Sequence, residues 1–259
     1  MTTPDRWTRT VREQLGLGRL LPLGGPRDGA WVAERAARDA LLAAARNVPG
    51  VRPGRLRIAL AAPQETSEPV VPAPPSALPP GALRVTADFA ASAAEPLPAS
   101  AARLRTALTE AATRRIGLTV TEVDLRATEL LDAPPERQEA PEAGSEPGPV
   151  TVPEPGPGKA ALDAPAGEGA ADDTDEGRAA GAALTVPGVR ELTRTLGRPV
   201  TITKRDPGQE AALPHRHVRV ELAVDADRTT AEVARQVRAA VAESLPDHPT
   251  VAVLVTAID

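Results

Sequence analysis

The chain has 259 residues, 41% hydrophobic and 25% charged, with a net charge of −5, a length that allows one or two folded units. It contains no cysteine, which excludes a disulfide framework, a thiolate zinc site and a cysteine nucleophile. Only Lys159 and Lys204 among its 30 basic residues are lysine, and the longest apolar run, Ala40–Ala45, falls far short of the ~20 residues that a membrane span needs.

Met1–Asp5 has no basic patch leading into an apolar stretch, so no secretory signal is expected and the chain reads as cytoplasmic. In residues 1–28, Trp7, Val11 and Leu15 recur at i, i+4 and i+8 among Arg6, Arg9 and Arg12, with Arg19 beyond. This spacing predicts a short basic amphipathic helix, a candidate docking stripe for an anionic membrane surface or a partner. Packing on its own domain is the commoner fate of such a stripe. Leu20–Leu23 would extend either contact. Gly16, Gly18, Gly24 and Gly25 read as turn glycines rather than a phosphate loop, because no lysine follows and the residues before them look helical.

Residues 29–131 form the first expected unit. Asp28 can cap a helix over Gly29–Asn47, whose Trp31, Ala36, Ala40, Leu41 and Ala44 recur near helical period and which must end before Pro49. Leu56, Ile58 and Leu60 alternate with arginines as a strand. So do Leu83, Val85, Ala87 and Phe89 with polar residues, after a Pro-rich insert at 62–81 that reads as an extended spacer. Ala101, Leu104, Leu108, Ala111 and Ala112 line a helix. Leu118–Ala127 closes the unit as a strand whose apolar phase flips, which a bulge near Thr121–Glu122 would reconcile.

Residues 132–180 differ in kind. Twelve acidic residues against Arg137, Lys159 and Arg178 carry −9, leaving +4 on the rest, and nine prolines and seven glycines share the segment. With almost no large apolar side chain it reads as a disordered acidic linker. Residues 181–259 then repeat the first unit. Val186-Pro187-Gly188-Val189 matches Val48-Pro49-Gly50-Val51. Strands are expected at Val200–Ile202 and Val218–Val224. Thr229 and Glu232 form a capping box before a helix with Val233, Ala234, Val237 and Val241 on one stripe. Val251–Ile258 is apolar on both faces, as a central strand requires. The helix before the second V-P-G-V looks shortened or lost. The fold class expected is therefore α+β: two small β-β-α-β sandwich units joined by a disordered acidic Pro/Gly-rich linker.

WVAERAARDALLAAARNVPGV with LRVTADF, and VPGVRELTRTLGRPVTI with HVRVELAVD, TTAEVARQVRAAVAESL and VAVLVTAID, resemble the alkaline shock protein family of bacterial envelope-stress proteins. The resemblance covers roughly residues 29–130 and 182–259, as a divergent tandem copy. It implies a non-enzymatic cytoplasmic protein that acts through protein partners, either a membrane anchor protein or a family paralogue, at the inner membrane face. A label after the small fibril-forming protein of nucleopolyhedroviruses finds no support in the residues. A coiled-coil fibre needs three or four sustained heptads, and no predicted helix is long enough.

No residue constellation points to catalysis, metal or cofactor binding. His215 and His217 would share a strand face, but His248 is remote and further ligands are lacking. A Ser-His-Asp arrangement has no nucleophile turn to support it. The alternative is a nucleic-acid or ligand-binding module using Arg103, Arg105, Arg114 and Arg115 on one helix and Arg228, Arg235 and Arg238 on another. Base stacking would need aromatic side chains, and Phe89 falls on a predicted buried face. Nucleic acid is disfavoured.

Overall fold

A computed structural model describes residues 16–132, 174–205 and 215–259. Among these the chain is mixed α+β, with nine strands and four α-helices. The two V-P-G-V segments adopt the same turn. Gly50 and Gly188 have φ of +72° and +96°, a region that only glycine enters without Cβ strain. The Val51 N–H donates to Val48 O at 3.3 Å, and the Val189 N–H to Val186 O at 3.1 Å. Each glycine carbonyl then accepts from the strand alongside, from Ser92 N at 2.8 Å and from Asp225 N at 3.0 Å. The repeat read in the sequence is a repeat of backbone geometry.

In the first half, β1 (Leu20–Pro22) and β2 (Ala30–Ala33) lead into α1 (Glu34–Arg46), β3 (Val51–Leu60) and β4 (Leu83–Ser92). Next comes α2 (Leu97–Glu110), which widens into a π-type turn at Ala111–Ile116, followed by β5 (Val120–Leu131). In the second half, α3 (Asp175–Leu184) precedes β6 (Val189–Leu192), β7 (Val200–Arg205), β8 (His215–Val224), α4 (Thr230–Ser244) and β9 (Thr250–Ile258). In both halves a helix carries the chain between two parallel strands, β4-α2-β5 and β8-α4-β9. Parallel neighbours require such a crossover.

The smaller sheet has the order β3-β4-β5. The larger sheet runs β1-β2-β9-β8, with β6 and β7 both paired to β8. It therefore takes two strands from the first half. Ala30, Trp31 and Val32 lie parallel to Val253, Leu254 and Val255, and the buried apolar residues of both halves form one contiguous cluster. β9 is central, with Val251–Val255 all buried, as its two apolar faces predicted. The expected bulge in β5 is present, since Arg84 pairs with Glu122 while Leu83 pairs with Val120, leaving Thr121 extra.

Several expectations are corrected. Residues 30–33 are strand rather than the first turn of a helix, because β9 supplies backbone partners and both faces of Ala30–Ala33 are buried. Asp28 caps a turn instead, its Oδ2 accepting from Gly25 N at 2.6 Å. The acidic segment expected to be linker through residue 180 is helical from Asp175. Thr174 provides the N-cap, its hydroxyl accepting from Gly177 N at 3.0 Å. The helix before the second V-P-G-V is thus present but shortened, 10 residues against 13 in α1, and the rest of that linker, residues 133–173, lies outside the described residues. β3 begins at Val51, with Pro53 at a bulge on an edge strand, where the missing N–H is tolerated.

The Pro-rich insert is packed rather than an extended spacer. Leu20 N donates to Ser76 O at 3.1 Å and Leu78 N to Leu20 O at 2.8 Å, so the insert covers the outer edge of β1. Val71 within it is buried against the backbone of Gly29. Nor does the capping box form. The Thr229 hydroxyl donates to Arg114 O in the first half at 3.0 Å, and makes no bond to its own helix.

Candidate functional site

Trp7, Val11 and Leu15, the candidate docking stripe, lie outside the described residues. The leucines that follow do not continue it outward. Leu17, Leu20, Leu21 and Leu23 are all buried in the core. Gly18 and Gly24 sit at φ of +71° and +74°, as turn glycines should.

His217 Nδ1 lies 3.0 Å from Thr250 Oγ1 on the neighbouring strand. Among the described residues there is no group of three His, Cys, Asp or Glu side chains that could hold a metal ion. Most of the helix arginines weighed for phosphate contact make bonds within the chain. Arg103 pairs with Glu95, Arg114 with Glu110 at 3.1 Å, and Arg238 donates to Arg27 O. Phe89 is buried, as its strand phase predicted.

Two other features are left open to a partner. The first is the free edge of β5. In the larger sheet β9 has β8 on one side and β2 on the other, whereas its repeat equivalent β5 pairs with β4 alone among the described residues. Leu130 on β5 is 62% exposed. The acids of β5 are tied back into their own sheet, Glu122 to Arg84 at 2.5 Å and Glu129 to Arg52 at 2.6 Å. Asp124 is held more loosely, 3.6 Å from Arg84. Leu125 and Arg126 complete the middle of this edge.

The second feature is a cavity of about 520 Å³ between α1 and the edge strand β3. Arg19, Arg38, Arg55 and Arg57 line it with one carboxylate, Glu34. Glu34 opens α1, where its backbone N–H donates to Arg19 O at 2.8 Å. Its Oε2 accepts from Arg19 Nε at 3.1 Å, and its Oε1 from Arg38 Nη2 at 3.1 Å. Arg19 Nη2 also donates to Ile58 O at 2.6 Å, covering a carbonyl on the open edge of β3. Burial raises the Glu34 carboxyl, but the hydrogen bonds and charge of Arg19, with Arg38 behind it, outweigh that and hold it below its usual range. Arg19 was legible in the sequence only as part of a basic N-terminal run; nothing local paired it with Glu34.

Glu221 is a second unusual carboxylate, and it is fully buried on β8. Burial pushes its carboxyl upward, against the Leu196 N–H at 2.9 Å and the charge of Arg219. Oε1 lies 3.4 Å from Arg219 Nη2 but is not aligned for a hydrogen bond. The loop between β6 and β7 closes over it, with Thr193 Oγ1 2.7 Å from Thr256 Oγ1. Glu221 is not among the residues that line the cavity between α1 and β3.

No family model matches the chain, and no curated protein or solved structure matches it. Among the described residues no helix is long and apolar enough to cross a membrane.

Proposed function

We propose that the protein is a non-catalytic scaffold of the envelope-stress type, working through protein–protein contacts in the cytoplasm and reaching the inner membrane face through a partner. Its two sandwich-type units, joined by the acidic linker, are held together by β2. The observation that carries this reading is the open edge of β5 at the position where the equivalent strand β9 is completed by β2. An unpaired strand presents a row of backbone donors and acceptors to another chain.

A second copy of this chain fits that edge. Antiparallel pairing centred on Leu125 sets Asp124 of each copy opposite Arg126 of the other. It also sets Val123 opposite Ala127 and Val120 opposite Leu130. Opposite charges facing across a strand pair favour it, and like charges oppose it. Arg126 has no ion-pair partner among the described residues, so it is available for this role.

Light scattering on the full chain should show a dimer. Arg126→Asp, which faces Asp124 of the second copy with a like charge, should shift it to monomer with unchanged circular dichroism, while Arg126→Lys should not. A wild-type protein that is monomeric at high micromolar concentration, or an R126D variant that still dimerises, overturns self-pairing through β5.

A further inference from the structure

We propose that the cavity between α1 and β3 binds a phosphate-class oxyanion carried by a small soluble molecule. The inference is independent of strand pairing at β5.

Charge comes first. Four guanidiniums and one carboxylate leave the lining with a formal charge of +3. Glu34 is satisfied by Arg19 and Arg38, and it fixes the direction of both side chains. Arg55 and Arg57, at i and i+2 on the outer strand of the smaller sheet, have no acidic partner among the described residues. An excess of cations in a concave site raises the local concentration of anions.

A specific donor is also left over. On Arg38, whose side chain is 39% exposed, Glu34 takes Nη2 and leaves the rest of the outer guanidinium open. An anion oxygen entering between α1 and β3 can accept from it.

The shape of the donor set selects the ligand. A carboxylate offers two coplanar oxygens and suits one guanidinium fork. Here guanidiniums line the cavity from three elements, the flank of β1, the first turns of α1 and the edge of β3, with Arg19 already held through Nε and Nη2 by Glu34 and the Ile58 carbonyl. A tetrahedral phosphate has oxygens for all three directions. The volume of about 520 Å³ lies in the range of small-molecule sites. The only large apolar side chains of the lining are Leu42 and Leu56, with no aromatic ring for a nucleobase to stack on.

The test is titration calorimetry of the full chain with inorganic pyrophosphate, and with citrate as the carboxylate control, at ionic strength held constant with chloride. Pyrophosphate should bind at one site per chain, and citrate about tenfold more weakly or worse, the size of one charge-assisted hydrogen bond. Arg38→Gln should weaken pyrophosphate by about tenfold on the same scale. Arg57→Gln, an exposed position whose loss leaves the Glu34 pairs intact, should weaken it severalfold. Arg35→Gln, which removes an equal charge from α1 outside the cavity, should leave binding unchanged. Absent binding, equal affinity for citrate, or a loss with R35Q matching that with R57Q overturns the proposal.

Discussion

Trp31 lies directly opposite Leu254 in a parallel strand pair that joins the first half of the chain to the last strand of the second. Both side chains are buried, Trp31 to 1% exposure. The contact makes β2 a shared element, since the same residues lead straight into α1 of the first half. Trp31→Ala should therefore cost about 3–5 kcal/mol, the usual range for emptying a large aromatic site. Because the core is continuous, chemical denaturation should show one transition for both halves, shifted to lower denaturant. Two separate transitions in the wild-type protein would show that β2 does not couple them.

Cutting the chain in the acidic segment should not separate the halves. The composition of residues 133–173 makes them the expected site of limited proteolysis. The two fragments should then co-elute from a sizing column under native conditions, held by β2 on β9 and by the Thr229–Arg114 bond. Elution as two independent species contradicts the shared sheet.

Gly117 ends the π-type turn at φ +89°, and a Cβ placed there would stand 2.3 Å from the Cβ of Ala231 on α4. Gly117→Ala should destabilise the protein by about 1–3 kcal/mol, from left-handed strain together with overpacking. Ala231→Gly in the same chain should recover the part due to the clash and leave the part due to φ. Thermal unfolding of the two single variants and the double variant separates these contributions. No recovery in the double variant would mean that the halves do not meet at this point.

Glu34 and Glu221 should give opposite pH signatures. The folded-state carboxyl of Glu34 is held below its ordinary value of 4.5, so the unfolded chain binds the proton more readily there. The stability it contributes is present above the unfolded value and is lost as pH falls through the folded one. Glu221 is raised above 4.5, so the native state holds the proton more tightly. Stability is then lost as pH rises from the unfolded value through the folded one. At neutral pH Glu34→Gln should destabilise, whereas Glu221→Gln should be neutral or stabilising. Both differences should shrink in acid. Denaturant midpoints across pH 3–8 would expose an error in either sign.

The features legible before folding are those that adjacent residues settle among themselves. The V-P-G-V turns need only a glycine that accepts positive φ, the alternation in Leu83–Phe89 and Val218–Val224 needs only a period of two, and the phase flip at Thr121 needs only one extra residue. Helix bonds close within their own segment, so α2 and α4 were also legible. Other features depend on partners far away in the chain. Ala30–Ala33 has a helical-looking apolar pattern, yet its backbone bonds go to Val253–Val255, a partner that no local window contains. Thr229 had a capping partner three residues away and bonds instead across the chain to Arg114. The basic cavity exists because folding brings Arg19, α1 and the β3 edge together around Glu34. Each of these arguments turns on a hydrogen bond or charge whose partner is distant in sequence, and only the folded chain specifies that partner.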